Sequence, residues 1–131
     1  MQRFLTAAVG LLLAAAPVAA HHSFAAEFDS SKPIKLRGVI TKVQLINPHT
    51  WLYVDGRDER GKVAKWSFEM GSTGGLTSRG WKKTDLKTGD HVAVEGFGAN
   101  SGKNVANPTI ITLPDGRKLF GGFAATPGAP K

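Results

Sequence analysis

Between Asn47 and Asp55 a polar turn leads into an aromatic-rich alternating stretch. Trp51, Tyr53 and Asp55 fall on one side of an extended backbone, Leu52 and Val54 on the other. This period of two marks a half-buried strand and commits the chain to a sheet. Pro48 fixes its own φ and biases Asn47 toward extended geometry, so a bend is expected just ahead of the strand. His49 then sits on a loop that delivers it to the strand's start, the kind of position where function concentrates.

The same alternation recurs along the chain. Ile34 to Ile46 reads as a first strand, with Ile34, Leu36, Gly38 and Ile40 in phase and the phase blurring after Thr41. Gly38 inside it predicts a bulge or sharp bend. The second strand runs from about Thr50 to Gly56, turning at Asp58-Glu59-Arg60-Gly61 into a third from Lys62 to Met70. There Trp66, Phe68 and Met70 share one face, while Lys65, Ser67 and Glu69 share the solvent face. A short helix fits Leu76 to Trp81 after the Gly71–Gly75 break. His91 to Gly98 and Val105 to Leu113 are strands four and five, Pro108 demoting the first half of the fifth to an edge or bulge. Lys118 to Phe120 is a small last strand.

Three strands, a short helix and two more strands is the element order of the OB-fold, a partly open five-stranded barrel. The fold class expected is therefore all-β with one short helix, a five- to six-stranded OB-like barrel over residues 34–120. A β-sandwich is the rival, but it usually needs about seven strands. In the barrel reading, the Asn47–Thr50 and Ala99–Asn104 turns flank the usual ligand face.

The flanks are read by composition. Arg3, the apolar run Phe4 to Ala16, and Val18-Ala19-Ala20 make a signal peptide with cleavage after Ala20. The run falls short of the roughly 20 residues that span a membrane, and no later stretch approaches that length. A mature chain of 111 of the 131 residues, starting at His21, is periplasmic or secreted and of one-domain size. Residues 21–33 form an N-terminal arm, with Phe24 and Phe28 spaced to pin it to the body. Residues 121–131, rich in Gly, Ala and Pro, are expected to be disordered. With no cysteine anywhere, the core alone holds the fold and thiolate metal chemistry is excluded. The formal charge is +7, but the basic residues are scattered and only Arg79, Lys82 and Lys83 cluster. A nucleic acid is not the expected partner.

Ala-His-His-Ser-Phe after a signal peptide, Asn-Pro-His before an aromatic residue, and Gly-Asp before a Val-x-Val-x-Gly strand together resemble a family of small exported bacterial proteins. The family is mostly Gram-negative and is classed as a domain of unknown function. The resemblance runs from His21 to about Phe120. It implies export and a small barrel-like domain, and it supplies no activity to transfer.

The candidate chemistry lies in His21, His22 and His49. An N-terminal histidine offers its α-amine and ring Nδ1 as a chelate. A second imidazole, from His49 or His22, completes a three-nitrogen set that suits Cu(II). Glu27, Asp29 or Met70 are available to finish the shell. Against this stands a solvated chain end that takes up metal adventitiously, with His49 bonded to backbone. Asn47, Trp51 and Tyr53 are candidate ligand-binding residues, and Trp51, Tyr53, Trp66 and Phe68 would make a stacking platform if they shared an exposed face. Trp66 and Phe68 read better as core, and Trp81 as a plug beneath the short helix. His91 reads as a surface strand residue. No Ser/His/Asp order, close carboxylate pair or phosphate loop points to catalysis. The expected function is binding of a metal ion or small ligand, copper first; the alternative is a module that engages an envelope protein or a glycan.

Overall fold

The computed structural model describes residues 24–131. Residues 1–20, expected to be a signal peptide, and His21 and His22 lie outside the described residues. The chain is mostly β. Helix α1 (Phe24–Glu27) leads directly into β1 (Phe28–Leu45), followed by β2 (Thr50–Asp58), β3 (Val63–Glu69), α2 (Thr73–Ser78), β4 (His91–Ala99), β5 (Val105–Thr112) and β6 (Lys118–Phe120). One six-stranded sheet results, in the order β3-β2-β1-β4-β5-β6.

β1 organises the sheet because it pairs antiparallel with both β2 and β4. At Gly38 the neighbouring strand comes so close that an added Cβ would strike the Asp55 carbonyl oxygen and lie 2.7 Å from Gly56 Cα. The blurred phase after Thr41 is a register shift between Ile40 and Lys42, where one extra residue is accommodated. β1 begins six residues before the strand expected at Ile34. Its polar stretch Asp29–Lys32 shows no hydrophobic alternation, but Phe28 pairs with Ala99 and Pro33 with Phe97. Part of the expected arm is thus strand. Pro108 stays within β5, opposite Gly96 at a register shift, the bulge its position allows; a Cβ at Gly96 would strike the Asn107 carbonyl oxygen and lie 2.8 Å from Pro108 Cα.

Leu52 and Val54 turn inward with Phe68, Met70, Val92, Val94 and Ile111 to form the main core. α2 starts at Ser72, whose Oγ accepts the Gly75 N–H at 3.1 Å. Beneath it Trp81 is buried and donates its indole N–H to the Phe120 carbonyl at 2.7 Å. A second cluster gathers Phe24, Phe28, Ala99 and Phe123.

The expected disorder of 121–131 does not hold for its first part. Gly121, Gly122 and Phe123 are buried, and Thr126 is buried too. The segment is tied down by the bond from the Gly71 N–H to the Gly121 carbonyl and by Thr126 Oγ1 donating to Asn107 Oδ1 at 2.6 Å. One aromatic ring and one hydroxyl are enough to anchor a stretch whose average composition resembles a linker. Among the described residues, no helix is long and apolar enough to cross a membrane.

Candidate functional site

His49 stands immediately before β2, after a turn in which the Asn47–Pro48 peptide is cis. The backbone of Thr50 pairs with Met70 and Gly71 at the end of β3, which sets the imidazole beside Met70. His49 Nδ1 lies 3.1 Å from the Met70 carbonyl oxygen. A carbonyl only accepts, so Nδ1 carries the proton, and the neutral ring then has its lone pair on Nε2. Nε2 lies 3.7 Å from Glu69 Oε1.

Glu69 shares the strand face of Lys65 and Ser67, as expected from the alternation. It is nevertheless only 7% exposed, with Glu27 of α1 and the His49 ring against its carboxyl. From the N-terminal side, Glu27 of α1 hydrogen-bonds the Glu69 carboxyl. Four residues are too few for a self-standing helix. Asn100 holds α1 in place, its backbone N–H on the Glu27 carbonyl at 2.8 Å and its Nδ2 on the Ala25 carbonyl at 3.2 Å. From the C-terminal side, the Phe123 ring centroid lies 4.7 Å from that of His49. Phe123 in turn packs edge-on against Phe28. The Phe123 N–H donates to Thr126 Oγ1, Thr126 to Asn107, and Asn107 Nδ2 to the Glu69 backbone carbonyl at 2.9 Å.

A hydrogen bond between two carboxyls requires that one be protonated. Burial pushes Glu69 up from 4.5 to about 7, helped by the bond to Glu27 and by that neighbour's charge. A folded-state value above the unfolded one means that folding takes up a proton between these limits. Stability should therefore be greatest near pH 4.5, fall as pH rises toward 7, and level off above it, by up to about 3 kcal/mol. Glu69→Gln, which imitates the protonated acid, should flatten that slope. Urea unfolding at pH 5 should find the two proteins alike, and at pH 8 the variant the more stable. A wild type equally stable from pH 5 to pH 8 would contradict this assignment.

The four-aromatic platform does not form. Leu52 is paired with Phe68 and Val54 with Trp66, so both β3 aromatics lie on the inner face with the core residues of β2. Trp51 and Tyr53 lie on the outer face, half-buried, opposite Glu69 and Ser67. Tyr53 donates its hydroxyl to Gln44 Oε1 at 2.8 Å. Asn47 is exposed on the turn, and His91 is exposed at the start of β4. Asp29 is bonded within its own turn to Ser31, and Met70 contributes its carbonyl rather than its sulfur to the site.

The Glu27–Glu69 pair was hidden from sequence spacing, since it joins a helix at one end of the chain to the third strand. Phe123 and Thr126 were missed for a similar reason. The usable signal was the Phe24/Phe28 pair, which marks an arm pinned somewhere on the body. Among the described residues, no three His, Cys, Asp or Glu side chains form a group able to hold a metal ion.

A protein-family model described as a family of unknown function (DUF6152) matches residues 8–107. The chain belongs to the DUF6152 family. The matched stretch carries His21, His22, Glu27, His49 and Glu69, and it stops short of the C-terminal segment bearing Phe123 and Thr126. No curated protein and no solved structure matches this DUF6152 chain.

Proposed function

We propose that this DUF6152 protein is an exported, non-enzymatic binding protein that holds a copper-type metal ion at His49 and Glu69, closed by the amine and ring of His21. The observation that carries this reading is the orientation of His49. Its Nδ1–H is fixed on the Met70 carbonyl and its Nε2 faces the buried Glu69 carboxyl. Metal-bound histidines are commonly oriented this way by a second hydrogen bond. Two ligand atoms bound at about 2.1 Å to one ion lie about 3 Å apart at right angles and about 3.4 Å apart in a tetrahedron. The 3.7 Å between Nε2 and Oε1 would have to close by about 0.7 Å for adjacent ligands at right angles and by about 0.3 Å for a tetrahedron.

The arm can reach. His21 precedes Phe24 by three residues, a span of at most about 11 Å, and Glu27 of the same arm already touches Glu69. The resulting set of three nitrogens and one carboxylate oxygen suits tetragonal Cu(II). His22 is the substitute for the N-terminal ring. Export and a periplasmic site follow from the signal-peptide reading of residues 1–20. The barrel reading is supported by β3, which pairs with β5 as well as with β2, Ser67 opposite Val105 and Phe68 opposite Ala106. The order strand, strand, strand, helix, strand, strand then matches an OB-like barrel.

The test is a Cu(II) titration of the tag-free mature protein against a competing chelator. One equivalent should bind tightly, and Glu69→Gln should weaken it at least about 10-fold. Uptake of several equivalents, unchanged by Glu69→Gln, would reject the site.

A second reading rests on a different surface. Leu45 and Ile46 are about half exposed beside the turn that carries Asn47, and Trp51 and Tyr53 lie on the adjoining outer face with Gln44. Aromatic rings beside an amide suit a glycan or a partner protein of the envelope.

A further inference from the structure

The end of β2 remote from His49 opens onto a groove of about 850 Å³. Strand register fixes its chemistry. Arg37 on β1 is paired with Arg57 on β2 and with Ala93 on β4, Ala93 with Thr112 on β5, and Thr112 with Lys118 on β6. Directly paired residues point to the same face. These five side chains therefore form one row across five strands, and all five line the groove. Its ends are cationic, and its middle is a small side chain and a hydroxyl.

The cations are not matched by local acids. Glu95 is taken by Lys35 at 3.1 Å. Asp58 accepts the backbone N–H groups of Arg60 and Lys62, each at 2.9 Å. That leaves Glu59 as the remaining acid on the lining. Arg57 donates to the Gly61 carbonyl at 3.2 Å and keeps its charge. Among the described residues, neither Arg37 nor Lys118 makes an ion pair. Like charges directly opposed in a sheet destabilise it, so the Arg37–Arg57 pair works against the fold, and an anion would relieve it.

We propose that this groove binds a ligand bearing at least two phosphate groups, one held by the Arg37–Arg57 pair and another by Lys118. The planar N–H fork of a guanidinium donates two parallel hydrogen bonds to two oxygens of one phosphate. Arg37 and Lys118 stand three strand spacings apart, about 14 Å between Cα atoms, which two long side chains can close onto a short phosphate chain. Thr112 offers a hydroxyl between them. The source can be a soluble phosphate compound or the headgroups of an anionic bilayer, since both present the same groups.

The experiment titrates tag-free mature protein at low salt with tripolyphosphate, and separately with phosphatidylglycerol vesicles. One saturable site is expected, weakened at least 10-fold in Arg37→Gln and in Arg57→Gln, and less in Lys118→Gln. Lys83→Gln and Lys103→Gln remove the same charge away from the row and should change affinity less than 2-fold. Tripolyphosphate binding without vesicle binding assigns a soluble ligand. Arg37-dependent vesicle binding alone assigns a headgroup. Thermal unfolding supplies a check on the fold: relieving the like-charge pair should leave Arg37→Gln at least as stable as the wild type. Binding to neither probe, or equal weakening in all five variants as expected for net charge alone, overturns the proposal.

Discussion

His49→Ala should weaken Cu(II) binding by at least about 100-fold while leaving the protein folded. The ring is the one proposed ligand that the fold itself orients, through Met70 on one side and Phe123 on the other. Ligand loss costs more than the 10- to 100-fold typical of an outer partner. The structural cost is smaller. One hydrogen bond to a backbone carbonyl and one ring contact are worth about 1–2 kcal/mol together. For a domain of this size that lowers Tm by several degrees. His49→Phe separates the two effects, because it keeps a ring against Phe123 and removes the nitrogen. It should be nearly as stable as the wild type and bind as poorly as the alanine variant. Metal affinity retained in His49→Phe would place the ligand elsewhere.

Gly38→Ala is expected to be the most damaging single-methyl change. The added carbon would meet the Asp55 carbonyl, Gly56 Cα and Val54 Cγ1, the first two of them backbone in the paired strand. A flexible side chain could move aside, but a sheet backbone cannot without breaking its ladder. A loss of about 3 kcal/mol or more, or failure to fold, is expected. Gly74→Ala is the matching control: nothing lies within 4 Å of its added carbon, and the position is exposed in α2. There alanine should be neutral or stabilising by up to about 1 kcal/mol, through its better helix propensity. Urea denaturation of both variants decides the matter. Equal stabilities would show that β1 and β2 can separate at Gly38 without cost.

Most strands could be read from alternation, because one face of each meets the core. Leu52, Val54, Val92 and Val94 are buried as their phase requires. The reading failed where contacts are made by backbone or by distant segments. Asp29 to Lys32 belong to β1 although nothing in their polarity says strand. Glu69 stands on the face its alternation predicts, yet it is buried with Glu27 and His49 against its carboxyl. The composition of residues 121–131 hides Phe123 and Thr126, whose partners are His49 and Asn107 of β5 respectively. His49 was legible as a loop residue before an aromatic strand. Its neighbours Glu27 and Glu69 were not, since neither spacing nor pattern links a helix at the start of the chain with the end of β3.

The most direct test of the proposed metal site is electron paramagnetic resonance of the Cu(II)-loaded mature protein, with its N-terminus fixed at His21 by mass spectrometry. The expected result is one tight tetragonal site with three nitrogen couplings, lost when one extra residue precedes His21 and lost again in His49→Ala. Weak binding at several sites, indifferent to both changes, would contradict the site and leave the histidines as a chain end and a loop residue.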